Sequence, residues 1–426
     1  MSLRSQTIGL LFLAWTTNVR ATADTPINRS ANPQTHGPNF TIELQTARSG
    51  YDRKTCWVHA RAGIIPRSSS TQADPFRVVM TMHALQLTGQ DVYLPIHEMR
   101  SNDGGLTWSE PVGQGDAFAR RPRAGGIEEG ISDFWPIWHE KTGVLLGTGH
   151  TIRYAGDRLQ DNPRPRDTAY SVYDPPSHQW SRFQTLNTPD EELFFMEGAG
   201  STQRVDLENG EILLPTYSAI RETARGQFAA QYTSLVMRCT FDGRTLRYVE
   251  HGNILTIPSG RGFAEPSLVK VGGRFLMTLR NNDHNCIATS NDGLHFGQPQ
   301  RLKFDDGSEL GSYNTQTHWL TLADRLYLVY TRSGANNDHV FRHRAPLFIG
   351  QFDPARLCVI RNTERILVPE RGARLGNFGI TKISDIESWV TVTEWMQTKG
   401  PRWFDSTICE KYGSNNSVFV AKVRAE

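Results

Sequence analysis

The chain has 426 residues, with 46 Lys plus Arg against 44 Asp plus Glu, so the formal net charge is +2 and composition supplies no field for binding nucleic acid. Aromatic residues make up 10%, and 37 Gly with 22 Pro suit many turns and large apolar plugs between sheets rather than long helices. Five scattered cysteines, Cys56, Cys239, Cys286, Cys358 and Cys409, indicate neither a disulfide scaffold nor a zinc site.

The first 23 residues read as an export signal: Arg4 in a short basic start, an apolar run over 8–15, then Ala21-Thr22-Ala23 as a small-x-small cleavage site. That run is too short to span a bilayer, and no other run approaches transmembrane length, so a secreted or periplasmic protein without membrane insertion is expected. Residues 24–38 form a polar linker, and 39–426 are read as one domain. Residues 40–46 read as a strand whose partner is 418–423 at the other terminus, a pairing that would close a ring. Cys56 and Cys409 also lie near the two ends, where a bridge is conceivable, although buried free cysteine is the commoner state. Between the termini come short runs rich in β-branched and aromatic residues at 77–82, 143–148, 211–215, 274–279, 325–330 and 389–394, each bounded by Gly, Asp or Pro. No helix of ten or more residues at a 3.6 period is evident. Residues 120–129 and 153–166 are charged and Gly- or Pro-rich, and read as long loops over one face.

A motif recurs among these strands. Ser101-Asn102-Asp103-Gly104-Gly105-Leu106-Thr107-Trp108 and Ser290-Asn291-Asp292-Gly293-Leu294-His295-Phe296 share a turn in which Asp can accept backbone N–H groups, Gly can adopt φ > 0, and an aromatic residue opens the next strand. Fainter echoes stand at Asp174, Asp242 and Asp353, so the aspartates are spaced 71, 68, 50 and 61 residues apart, as four-stranded units require. The motif resembles the Asp-box of the sialidase superfamily. That resemblance implies an all-β, six-bladed β-propeller, with five or seven blades as alternatives.

The same resemblance implies a site. Sialidases hold a carboxylate with three arginines, use an Asp as acid/base, and attack with a Tyr activated by a Glu. A neutral phenol avoids the repulsion that a carboxylate nucleophile would meet beside that anion. Glu265 and Arg280, at the ends of residues 265–280, resemble the Glu and the second arginine. Arg61 resembles the first arginine, and Arg344 the third, with Arg342 as a rival. Asp91 stands where the acid/base Asp falls. The nucleophile departs from the pattern, because no Tyr occurs between Tyr330 and Tyr412, and Tyr313 or Tyr217 would have to serve. A competing set of His150, His318, His339 and His343 with Tyr313 resembles the sites of propeller polysaccharide lyases and histidine-using glycosidases. The implied function is an exported, exo-acting glycoside hydrolase of an acidic oligosaccharide or polysaccharide. The alternatives are a uronate lyase or a non-catalytic glycan-binding propeller. No cofactor or metal is expected, since no ligand spacing names one.

Overall fold

Short stretches that alternate inward and outward side chains cannot bury a face alone, and in this chain they do so by pairing into sheets that stack on one another. The computed structural model describes residues 40–67, 76–89, 91–224, 231–398 and 405–426. The proposed signal peptide, its cleavage site and the linker lie outside the described residues. The described strands form six antiparallel sheets: four of four strands, one of five and one of seven. Each follows a meander in which consecutive strands pair, for example Thr55–Ile65, Arg77–Gln86, His97–Ser101 and Val112–Gly113. The only helices among the described residues are single turns, such as Thr407–Lys411.

Apolar clusters lie between consecutive sheets. One joins Ile65 and Val79 to Phe134 and Leu145, and another joins Leu213 and Val236 to Leu268 and Met277. The last sheet returns to the first, where Trp389, Val418 and Val420 pack on Ala62, Met80 and Met99. This is an all-β propeller. Its closure is the expected one, because Phe40–Arg48 pairs antiparallel with Val418–Ala425 and so completes the sheet begun by Gly379–Lys382 and Glu387–Thr393. All five cysteines are free and buried. Cys56 Sγ instead accepts the Met396 N–H and an Asn416 amide N–H, each at 3.2 Å.

The aspartate turns occupy one repeated position, the hairpin between the third and fourth strands of a sheet. Asp103 follows His97–Ser101, and Asp292 follows Cys286–Ser290. Asp103 Oδ1 accepts N–H groups from Leu106 (3.1 Å) and Thr107 (3.0 Å), while Asp292 Oδ1 accepts them from Leu294 (2.9 Å) and His295 (2.8 Å). In both, a Ser hydroxyl, Ser101 or Ser290, donates to the Asp at 2.8 Å and accepts a Gly N–H. Asp174, Asp242 and Asp353 sit at the same corner of three other sheets and accept N–H groups two or three residues on. Gly105 (φ 78°) is obligatory, since a Cβ there would lie 2.2 Å from the Trp389 ring of the neighbouring sheet.

The two expected loops are partly strand. Arg121–Arg123 turns at Gly125 and Gly126, both left-handed, and pairs with Ile127–His139. Val144–Ala155 runs on past its expected end and turns at Gly156 into Arg158–Leu159. Glycine there marks a tight hairpin rather than an open loop. Residues 160–166 are irregular, apart from an isolated bridge at Arg166.

Candidate functional site

Three innermost strands break register at the same end of their sheets, between Val58 and Arg61, Ser132 and Trp135, and Ala264 and Ser267. At each break a non-glycine residue takes positive φ: His59 (58°), Asp133 (54°) and Glu265 (44°). Ser201 (57°) and Asn314 (48°) do the same leading into the third and fifth sheets. A bulge adds one residue and re-aims a side chain, and a left-handed non-glycine costs on the order of 1–3 kcal/mol. Repeated from sheet to sheet, it turns His59, Asp133, Glu265 and Asn314 into one shared cavity.

That cavity has a volume of about 1270 Å³ and receives side chains from all six sheets or their connections. Eight arginines line it against four carboxylates. Of the eight, Arg280 alone is ion-paired among the described residues, to Glu265, and it also donates to Asn314 Oδ1 at 2.7 Å. Arg344 donates to the Asn314 carbonyl and to Asn377 Oδ1 (3.2 Å), and Arg374 stacks 3.8 Å from the Trp395 ring centroid. Arg344 Nε and Arg374 Nε and Nη2 are buried without a partner. Burial, with Arg280, Arg374 and Arg342 adding repulsion, holds the Arg344 guanidinium well below its ordinary pKa. Burial and Arg342 bring Arg374 down to about 9. Buried, mutually repelling and incompletely bonded cations are stabilised by an incoming anion, and the planar guanidinium fork suits a carboxylate.

Beside this cluster stands Asp133. It accepts a hydrogen bond from the Ser201 hydroxyl, and it lies 3.3 Å from His150 Nε2, 3.6 Å from His59 Nε2 and 3.8 Å from Arg61 Nη2. Burial opposes its ionisation, but His59, His150 and Arg61 outweigh burial and hold the carboxyl well below the usual range. Burial pushes His59 down, and the Asp133 carboxylate opposes that shift. His150 Nδ1 donates to the Thr151 carbonyl at 3.0 Å, which turns Nε2 toward Asp133.

The cavity's phenols are Tyr93, Tyr217 and Tyr232. Burial raises the Tyr217 pKa, Arg166 opposes it, and Glu265 and Asp133 add to the rise. Tyr232 goes the other way: burial raises its pKa, but Arg166, Arg261 and Arg164 outweigh burial and lower it.

No family model and no curated protein sequence matches the chain. Solved structures do. A Dyadobacter fermentans protein of unknown function aligns with a TM-score of 0.59 at 14% identity, over 91% of this chain and 100% of its own. The NanB sialidase of Streptococcus pneumoniae aligns at 0.56 and 12% identity, over 89% of this chain and 70% of its own. A Trypanosoma rangeli sialidase aligns at 0.52 and 12% identity over 91% of this chain, which spans 60% of that longer protein. The fold is sialidase-like.

Among the residues singled out in the sequence, Glu265, Arg280, Arg342, Arg344, Asp91, His150 and Tyr217 line this cavity together. Five others, Arg61, His318, His339, His343 and Tyr313, do not line it. Arg61 is fully buried beneath it, donating to Ser201 Oγ (2.6 Å) and the Phe378 carbonyl (3.3 Å), because the bulge at His59 and the close approach of Gly379 enclose it. His318 is a core residue, bonded to Ser267 Oγ at 2.5 Å and wedged between Trp135 and Phe378. His339 pairs with Glu370 at 2.9 Å and stacks on Tyr412 away from the cavity. Tyr313 is bonded through its hydroxyl to His343 Nδ1 at 2.6 Å, and His343 in turn to the exposed Asp338. Sequence reasoning missed Asp133, Arg374 and Tyr232. The only available signal was their type, since a bulge in Asp133's strand leaves no mark in the hydrophobic pattern.

Proposed function

We propose that the chain is an exported, six-bladed propeller glycosidase that cleaves a glycosidic bond of an acidic glycan at this cavity. Six sheets, each packed on the next, support the blade count, and the turns at Asp103 and Asp292 support an Asp-box architecture. The observation that carries the functional reading is the joining of Arg280, Arg344 and Arg374 with Glu265 in one cavity, with guanidinium nitrogens buried and unpartnered. The arginines bind the substrate carboxylate. Asp91 donates a proton to the leaving oxygen as the Tyr217 oxygen attacks the anomeric carbon and the phenolic proton passes to Glu265. Water then attacks the anomeric carbon with Asp91 taking its proton, and the departing Tyr217 oxygen recovers its proton from Glu265. Arg61, beneath the floor, positions Asp133 rather than substrate.

Incubation with a panel of sialosides and uronate glycans tests this. Release of a reducing acidic sugar is expected, as is labelling of Tyr217 by a fluorinated glycosyl trap, detected by peptide mass spectrometry. Inertness of every acidic glycan would sink the reading. A second reading, a uronate lyase, is favoured by one observation, the placement of a carboxylate-bonded imidazole, His150 Nε2 3.3 Å from Asp133, in the same cavity as the arginines. An unsaturated, ultraviolet-absorbing product that disappears in His150→Ala would establish it instead.

A further inference from the structure

The arginines of the cavity divide into two sets. Arg280, Arg344 and Arg374 come from the fourth to sixth sheets, whereas Arg164 and Arg166 come from the irregular stretch after Arg158–Leu159, and Arg261 from the turn before Ala264–Val271. The second set surrounds Tyr232. The guanidinium of Arg261 lies 5.1 Å from the Tyr232 ring centroid, and that of Arg166 lies 5.4 Å from it and 4.4 Å from the Tyr217 ring.

The arrangement is built rather than incidental. Tyr232 N–H donates to the Arg261 carbonyl at 2.8 Å, and Phe263 N–H donates to the Tyr232 carbonyl at 3.0 Å, so the two residues are stapled main chain to main chain. Gly262 (φ 73°) permits this, since a Cβ there would lie 2.0 Å from the Tyr232 carbonyl oxygen. Arg166 is anchored from behind by the Glu197 (3.2 Å) and Met196 (3.3 Å) carbonyls, and Arg164 donates to the Gln160 carbonyl at 2.5 Å. Among the described residues no ion pair joins any of the three to a carboxylate, and Arg261 Nε is buried without a partner. Asp91 contributes countercharge to Arg164 through space, and Glu197 and Asp133 to Arg166, so the three guanidiniums around the phenol are only partly compensated. Tyr93, Tyr217, Tyr232 and Trp395 line the same cavity.

We propose that Arg164, Arg166 and Arg261 form a second anion subsite, and that the ligand is a glycan carrying two anionic groups, one for each arginine set. This deepens the acidic-glycan reading and rests on it for the first set. One anion cannot serve both sets without leaving unbonded buried guanidinium nitrogens in the other, and that mismatch discriminates against singly charged sugars.

Calorimetric binding of the full chain to acidic disaccharides tests this without requiring turnover. The probes are a sialic acid dimer and a uronic acid dimer, each compared with the analogue in which one carboxyl is reduced to an alcohol. The doubly charged form of one dimer is expected to bind about 10- to 100-fold more tightly than its singly charged analogue, as a charge-assisted contact is worth. Arg261→Gln and Arg164→Gln should abolish that advantage while leaving the singly charged analogue within about twofold, and Arg261→Lys, which preserves charge and packing, should retain part of it. Equal affinity of the charged and reduced forms, equal weakening of both by Arg261→Gln in a folded protein, or no binding of any probe overturns the proposal. If Arg280→Lys changes neither affinity while Arg261→Gln still removes the dimer's advantage, the glycosidase assignment of the first set fails and the second subsite stands.

Discussion

Asp133→Asn removes one negative charge from beneath a ring of positive ones. Arg61 is wholly buried, and its Nη2 lies 3.8 Å from Asp133 Oδ1, with the Ser201 hydroxyl bonded to both. At that separation and an effective dielectric constant of about 20, the attraction is about 4 kcal/mol. Breaking a buried pair by neutralising one member typically costs about 3–5 kcal/mol, because the remaining charge stays desolvated. The expected loss for Asp133→Asn is therefore about 3–5 kcal/mol, read as a lower urea midpoint with an unchanged slope. Arg61→Met in the same background should restore part of the stability, since the stranded cation is gone and a well-packed apolar group replaces it. The contribution also has a pH signature. The folded carboxyl titrates well below its ordinary value of 3.8, so the stability is fully present above that value and is lost as pH falls below it. A loss under about 1 kcal/mol, or a double variant no better than Asp133→Asn, would refute the view that Asp133 is the countercharge organising the cavity floor.

Three further outcomes are expected. Asp103→Ala should lower stability by about 1–2 kcal/mol, a modest figure because the turn is solvent-screened, while the turnover of the folded fraction stays unchanged; lost turnover at unchanged stability would contradict the structural role. Arg280→Lys keeps charge but loses the fork shared by Glu265 and Asn314, so kcat/KM on acidic substrates should fall about 10- to 100-fold; near-normal kinetics would leave only a general positive field. Tyr232 should ionise below its ordinary value of 10.0, so ultraviolet difference titration should show one phenolate forming early. That signal should move upward in Arg261→Gln and vanish in Tyr232→Phe, and because the folded pKa is the lower one, its ionisation should add stability as pH rises toward 10.0. An unchanged titration in Arg261→Gln would break the link between that arginine and the phenol.

Local chemistry sufficed for the scaffold. An Asp turn is closed by hydrogen bonds to N–H groups two to four residues on, so Asp103 and Asp292, and the fainter Asp174, Asp242 and Asp353, mark hairpin corners where they fall. Strand period and end-to-end pairing of Phe40–Arg48 with Val418–Ala425 were legible for the same reason: each is a pattern carried along the chain itself. The spacing of Glu265 and Arg280, neighbours on paired strands, belongs with them. The cavity was decided elsewhere. Whether an arginine faces the cavity or the core depends on a one-residue bulge, and a slip of one residue exchanges the two faces of a strand. The bulge at His59 thus put Arg61 beneath the floor and that at Asp133 aimed its carboxylate into the cavity, while His318 packs in the core and Arg374, unremarkable in sequence, lines the cavity. The convergence of Arg164 and Arg166 with Arg261 on Tyr232 requires three sheets to meet. Only the packing of consecutive sheets side by side brings such distant residues within reach of one ligand.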